Sequence, residues 1–411
     1  MSKMQAPRGC PDVFPNDVEK RLYIIEMARK ISSRYGFQEH ETPIFEHSFV
    51  FEKNLGEGSD IVSKEMYSFT DKGGERFTLR PEATASVARL FISHKLFREL
   101  PYKVFYQGPM FRHERPQMGR QRQFTQIGVE NLGIKDAKID AETIELGWQL
   151  LKELGISNES QVLINCLGTD DDRETYKKQL VQYLSKHVSE LSEDSQKRLS
   201  TNPLRILDSK ADQDKEILKS CPSLLKFVNS ESLKEFDKIQ SLLSSMKVPF
   251  KVEPQLVRGL DYYTDTVFEI VNSKLGAQST VLAGGRYDNL IEGMGGPKCP
   301  SIGWASGIER LSLLVDYKPL KKIKIGIVDM DHSNDEYLMK ANQIIRSKFE
   351  TYWSPTGNFS KQMKKCENQG CQYVIIFGEN EINKKTVLIK NLSKGEQVEV
   401  KFDDVVNYSF N

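Results

Sequence analysis

The sequence predicts an α+β protein: an antiparallel sheet core flanked by helices, a helical insertion within it, and a smaller α/β domain after it. Three observations predict this. Phe105–Gly133 reads as two antiparallel strands joined by a long basic loop. From about Ser160 to Pro249 aromatics become few, Lys, Ser and Asp frequent, and helical periodicity dominates. After Pro319 strands alternate with helices, as in an α/β unit. The expected divisions are residues 1–159 with 250–319 for the sheet domain, 160–249 for the insertion and 320–411 for the last domain.

Taken in order, Asn16–Tyr35 reads as an amphipathic helix. Ile24, Ala28, Ile31 and Tyr35 recur at helical spacing, Asn16 with Glu19 fits a capping box, and Gly36 is a natural stop. Gly36–Ile44 follows as a strand, with Pro43 at an edge or bend where no ladder donor is needed. Met66–Thr70 and Glu75–Leu79 are short strands about the turn Asp71-Lys72-Gly73-Gly74. Arg80-Pro81-Glu82-Ala83-Thr84 opens a helix over Ala85–His94; an acid in the first turn complements the helix dipole, which is a purely structural account of Glu82. Ala141–Leu154 is a further helix, ending at Gly155, and helical spacing returns at Glu174–Val188 and Leu233–Met246.

Leu256–Val271 bends at Arg258-Gly259, continues through Asp261, Tyr262 and Tyr263, and becomes a strand over Thr266–Val271. Val281–Tyr287 is a strand running into a Gly-Gly turn, where backbone can approach a ligand closely. Ser301–Val315 reads as strand, glycine bend and helix, with Arg310 one turn into the helix. In the last domain Ile323–Val328 is a parallel-type strand, Asn334–Phe349 a helix, Tyr373–Phe377 a buried strand, and Thr386–Lys390 with Val398–Phe402 a β pair.

The totals narrow the function. A chain of 411 residues holds two or three domains. A net charge of +1 gives no global pull toward nucleic acid, so any RNA contact must be local. No apolar run reaches the ~18 residues of a membrane span, and the first residues lack the apolar stretch of a signal peptide. Cysteines at 10, 166, 221, 299, 366 and 371 form no CxxC pair, so reduced thiols in the cytoplasm are expected and a protein-bound metal is not.

Phe105–Gly133 carries the chemical signal. Side chains alternate along a strand, so Phe124, Gln126 and Glu130 share one face, with Gly128 leaving room, while Thr125, Ile127 and Val129 turn to a core. The loop His113–Gln123 brings Glu114, Arg115, Arg120 and Arg122, and Arg112 ends the first strand. A ring, an amide and a carboxylate beside these arginines predict a floor for something both aromatic and anionic. An edge hairpin with a solvated loop is the plainer account, but it leaves Phe124 on the polar face unexplained.

The segments FRHERP and GRQRQFTQIGVE resemble motif 2 of the class II aminoacyl-tRNA synthetases, in the form found in histidyl-tRNA synthetases. Asn16–Ile44 resembles motif 1, which forms a homodimer interface in that class, and SIGWASGIERLSLLV resembles motif 3. LVRGLDYYTDTVFEIV resembles the signature specific to the histidyl family, and NPLRILD a segment of its insertion. Gln362–Gly378 resembles the family's anticodon-binding domain, although TYWSPTG, between Glu350 and Asn358, stands where that domain has a strand. The likeness runs from Arg8 to about Val400.

The resemblance implies a class II sheet core, a helical insertion and a C-terminal anticodon-binding domain. It implies activation of L-histidine by ATP, with Mg²⁺ accompanying the nucleotide, and transfer to tRNA-His by a cytoplasmic homodimer that contacts no membrane. By resemblance, Glu82, Ala83 and Thr84 meet the α-amino group. Gln126, Glu130, Tyr262, Tyr263 and Tyr287 complete the histidine pocket. Arg112 holds the α-phosphate and Arg258 the substrate carboxylate and that phosphate, as the catalytic pair. Phe124 stacks on adenine, Glu114 reads its exocyclic amine, and Arg120 and Arg310 reach the phosphates. Fixed arginines suit this chemistry, since two anions must meet while charge grows on phosphorus. The P-loop and the HIGH and KMSKS motifs of class I synthetases are absent. Two other readings exist: a regulatory paralogue without catalysis, and an RNA-binding accessory protein. Retention of Glu82, Arg112, Glu130, Arg258 and Arg310 argues against both.

Overall fold

The structure is a computed structural model that describes residues 4–52, 61–319, 323–330 and 335–410. The chain forms two compact units, residues 1–317 and 318–411.

The first unit is built on an eight-stranded sheet. Its middle is antiparallel, in the spatial order Tyr102–Phe111, Gln123–Leu132, Ser301–Gly307, Thr280–Arg286, Thr264–Asn272 and Ser160–Cys166. A short parallel strand closes each edge, Gln38–Glu39 beside the first of these and Phe250–Val252 beside the last. The core is thus antiparallel, as the sequence predicts, with parallel pairing only at the two margins. The helices Pro15–Arg34, Ala137–Glu153 and Ser230–Ser245 cover one face. Ile127 and Val129 are fully buried, while Phe124, Gln126 and Glu130 alternate with them and line a cavity. A smaller sheet places Arg76–Leu79 between Phe45–His47 and Tyr67–Thr70, with the turn at Asp71 closed by its carbonyl and carboxylate.

Three local expectations are corrected. The first helix begins at Pro15, with Phe14 as N-cap and no side-chain cap. Proline in the first turn presets the helical φ and needs no donor, so Asn16 lies inside the helix rather than capping it. The run assigned to the insertion from residue 160 opens with the sheet strand Ser160–Cys166, whose buried Val162 and Ile164 pair with Thr264–Asn272. Its helices begin only at Asp170, capped reciprocally by Thr169 and Asp172, and continue as Glu193–Thr201, Asp212–Leu218 and Ser230–Ser245.

The second unit is a five-stranded sheet in the order Glu350–Trp353, Lys324–Asp329, Tyr373–Phe377, Thr386–Asn391 and Gln397–Lys401. The first three are parallel and the last two antiparallel to their neighbours. The third correction falls here: Glu350–Trp353 is a strand, paired with Lys324–Ile327. Thr, Tyr and Trp suit a pleated, half-buried edge, so TYWSPTG supplies the strand that it is expected to replace. The helices Asp335–Arg346, Phe359–Asn368 and Glu379–Lys384 flank the sheet; Asn334, the expected first residue of the first of these, lies outside the described residues.

Candidate active site

The open face of the large sheet carries a cavity of about 1000 Å³. Every residue assigned above to histidine or ATP lines it except Ala83, which is buried as the N-cap of the helix Thr84–Ser93. The arginines and acids come from segments far apart in sequence and are brought together by strand pairing.

Glu130 lies at the bottom, 1% exposed. The Thr84 hydroxyl donates to its Oε1 at 2.8 Å and the Tyr287 hydroxyl to its Oε2 at 2.5 Å. Gly303 faces it on the neighbouring strand, where a Cβ would stand 1.8 Å from the carboxylate. Only glycine leaves room for the acid there. Burial pushes the Glu130 pKa up to about 8; the two hydroxyls pull it down and Glu82 adds to the rise.

Glu82 precedes the helix and accepts from the backbone N–H of Thr84 at 2.6 Å and of Ala85 at 2.9 Å. The structural account of this acid is thus real: it satisfies orphan donors of the first turn. Burial raises its pKa against these bonds. Tyr262, Tyr263 and Tyr287 form a wall, with Tyr262 centred 4.6 Å from Tyr263 and 5.7 Å from Tyr287. Tyr287 is aimed by its neighbour Arg286, which is buried between Asp140 and Asp288. Gln126 leaves its buried Oε1 without a hydrogen-bond partner among the described residues.

At the other end Arg112 donates from Nε to the Pro81 carbonyl at 2.8 Å, and its guanidinium lies 5.3 Å from the Phe124 ring centre. Arg120 pairs with Glu114. Arg310 donates to the Thr280 carbonyl at 2.6 Å; burial lowers its pKa and the charges of Arg120 and Arg112 lower it further. The guanidinium of Arg258 stands over Tyr263, 5.5 Å from the ring centre, and pairs with Glu269.

Sequence reading passes over Glu269. Its signal is a lone carboxylate inside the apolar run Val267-Phe268-Glu269-Ile270-Val271, a position where charge is rare unless paired. It also assigns no role to Glu309, the residue before Arg310. Glu309 is buried, accepts from Thr125 N–H at 3.1 Å and lies 3.3 Å from Arg21. Among the described residues no cluster of His, Cys, Asp or Glu could hold a metal ion, and no helix is long and apolar enough to cross a membrane.

An antiparallel sheet with helices behind it, arginines on its open face and a separate five-stranded unit after it in the chain is the make-up of a class II aminoacyl-tRNA ligase. The comparisons make this specific. The family profile for histidyl-tRNA synthetase matches residues 9–311, and that for the anticodon binding domain matches residues 313–409. A histidine–tRNA ligase of Gluconobacter oxydans is 45% identical over 98% of both chains. The apo histidyl-tRNA synthetase of S. aureus superposes with a TM-score of 0.80 at 32% identity, covering 98% of this chain and 99% of that one. A protein of Bacillus halodurans C described as an ATP phosphoribosyltransferase regulatory subunit/histidyl-tRNA synthetase shares the fold, with a TM-score of 0.67 at 23% identity over 91% and 98% of the chains. The chain belongs to the histidyl-tRNA synthetase family.

Proposed function

We propose that this chain joins L-histidine to ATP as histidyl-adenylate, releases pyrophosphate, and transfers the histidyl group to the 3′ end of tRNA-His. The observation that carries this reading is Glu130, a buried carboxylate held by Thr84 and Tyr287 at the bottom of a cavity lined by arginines. A neutral imidazole has one ring N–H and one acceptor nitrogen. Glu130 accepts the N–H, and the Tyr263 hydroxyl donates to the other nitrogen, since the single O–H of Tyr287 is given to Glu130.

Glu82 and Thr84, beside Ala83, receive the α-amino group. A carboxylate has about four acceptor sites, so Glu82 can bind an ammonium while it holds two backbone N–H groups. Gln126 offers its unpartnered carbonyl oxygen to the same substrate. Arg112 and Arg258 bring the histidine carboxylate to the α-phosphate. Phe124 stacks on adenine, its second face covered by Arg112, while Glu114 reads the exocyclic amine and Arg120 and Arg310 hold the outer phosphates. Magnesium enters with ATP as its counter-ion.

The catalytic core takes in residues 1–166, with the strand Ser160–Cys166, and 250–319; residues 167–249 are its helical insertion and 320–411 the part that reads the anticodon. Two copies assemble through the motif 1 region. In support, Phe14, Leu22, Phe45 and Phe49, in and beside this region, are each at least half exposed. The reaction belongs in the cytoplasm with its tRNA substrate, in keeping with six unpaired cysteines. Histidine-dependent exchange of labelled pyrophosphate into ATP tests the reading. Exchange with histidine alone among the amino acids is expected; none with histidine overturns it.

A further inference from the structure

Glu269 lies in the strand Thr264–Asn272, opposite Leu163 on one side and Ala283 on the other. Its neighbours Phe268 and Ile270 are fully buried on the helix side, and its own side chain lines the cavity, 18% exposed. Both oxygens are engaged. Arg258 donates from Nη1 to Oε1, and the Thr280 hydroxyl donates to Oε2 at 2.7 Å. The carbonyl of the same Thr280 accepts from Arg310 Nη1 at 2.6 Å. Two arginines 52 positions apart in sequence (310 − 258 = 52) are thereby tied through one carboxylate and one threonine.

We propose that Glu269 is a positioning residue for adenylate formation, which fixes Arg258 before the substrates arrive and joins it through Thr280 to Arg310. The inference rests on the function assigned above. An arginine carries five N–H donors on a long, flexible stem. An arginine that must meet charge as it grows on phosphorus is useful only when its orientation is settled beforehand. Glu269 occupies Nη1, while Nε of Arg258 has no hydrogen-bond partner among the described residues. The pair thus settles the guanidinium and leaves donor capacity for an anion. The position is a poor one for a merely stabilising acid, because a partly buried ion pair contributes little against an apolar pair of similar volume. Through Thr280 the same acid registers Arg258 against Arg310, so the cations that meet the inner and outer phosphates move as one.

The test compares histidine-dependent pyrophosphate exchange, histidine binding and thermal stability in the full chain and in Glu269→Gln, Glu269→Asp and Thr280→Val. Glu269→Gln is expected to lower kcat by about 10²-fold, the scale of a misplaced catalytic group, while KM for histidine stays within about twofold. Thr280→Val, which changes no charge, lowers kcat by about 2- to 10-fold, one neutral hydrogen bond. Glu269→Asp recovers part of the rate. In an Arg258→Ala background Glu269→Gln has no further effect, because it acts through Arg258. Wild-type kcat in Glu269→Gln, or losses that add to those of Arg258→Ala, overturn the positioning role. So does a defect that raised magnesium repairs, which would assign Glu269 to the metal. If the unmodified chain shows no histidine-dependent exchange, the assigned function falls and this inference with it; if it does exchange and Glu269→Gln matches it, the inference falls alone.

Discussion

The hydroxyl of Tyr287 donates to Glu130 Oε2 over 2.5 Å, joining residues 157 positions apart. The bond is buried on both sides. It exists because the strand Ser301–Gly307 runs between the strand that carries Glu130 and the strand Thr280–Arg286 that Tyr287 follows, and because Gly303 on it has no side chain. In a pocket built this way, the hydroxyls of Thr84 and Tyr287 fix the carboxylate, and selectivity follows from hydrogen bonds rather than from shape.

Glu130→Ala is therefore expected to abolish histidine activation and histidine-induced thermal stabilisation while ATP binding and the fold persist. Sites that pair with a substrate donor reject analogues lacking it by roughly 10⁴–10⁵, whereas a glutamate in a surface salt bridge would cost little. Wild-type activation by the variant, with unchanged discrimination against glutamine, would remove this carboxylate from the specificity pocket.

The same residue makes stability depend on pH. Burial raises the Glu130 pKa from 4.5 to about 8. Between these values the folded chain keeps a proton that the unfolded chain has lost, so the folded state binds more protons. Its contribution is complete below the unfolded value, falls as pH rises through the window, and levels off above the folded value. Glu130→Gln cannot ionise. Its melting temperature should gain on that of the unmodified chain from about pH 5 to about pH 9, reflecting on the order of a few kcal/mol. Two melting curves that stay parallel across this range would show that Glu130 ionises as readily folded as unfolded.

How much of this was legible depends on range. Alternation along Gln123–Leu132 is local, so the faces of Phe124, Gln126 and Glu130 against Ile127 and Val129 can be read directly. The turn at Asp71 and the glycine bend before Arg310 are local as well. What escapes is contact that leaves the single strand: Arg258, in the loop before Thr264–Asn272, with Glu269 inside it, Tyr287 with Glu130, and Gly303 against the acid it makes room for. Composition misleads at two places. Ser160–Cys166 sits at the edge of a helix-rich region yet completes the sheet, and Glu350–Trp353 precedes a Ser-Pro turn yet pairs as a strand. In both, tertiary pairing decides what local composition cannot.

Arg258→Ala should lose activation with only a modest effect on histidine binding. The guanidinium is settled by Glu269 and Tyr263 at the cavity wall, where it can stabilise charge that appears only as carboxylate meets phosphate. Losing one preorganised contact of this kind costs ~10²–10³ in rate. Single-turnover adenylate formation separates the effects: a normal rate with weakened histidine binding would make Arg258 a binding residue only.

Removing residues 321–411 should depress tRNA charging far more than pyrophosphate exchange. The C-terminal unit has its own sheet and its own core, Ile325, Ile375, Phe377 and Ile389 among its buried residues, and the cavity is lined wholly by the first unit. Circular dichroism must show the truncated chain folded. Equal losses in the two assays would then count against separate roles.

The last expectation concerns assembly. On the small sheet Phe45 packs edge-on against Phe77 and Phe69, and His47 stacks between Phe77 and Phe49, yet Phe45 is 50% exposed and Phe49 58%. Phe14 and Leu22, at and within the first helix, are exposed still further or equally. Aromatic clusters of this kind bury well against a partner, and two-fold pairing of identical patches is the commonest symmetric solution. The chain should sediment as a dimer at micromolar concentration. Phe45→Glu combined with Phe49→Glu should shift it toward monomer, since each copy would then place two charges in a desolvated contact. The small sheet leads through Arg76–Leu79 to the helix start at Thr84, which lines the cavity, so exchange activity should fall along with the dimer. A wild-type monomer with full activity in analytical ultracentrifugation fractions would show that the exposed aromatics serve something other than self-association.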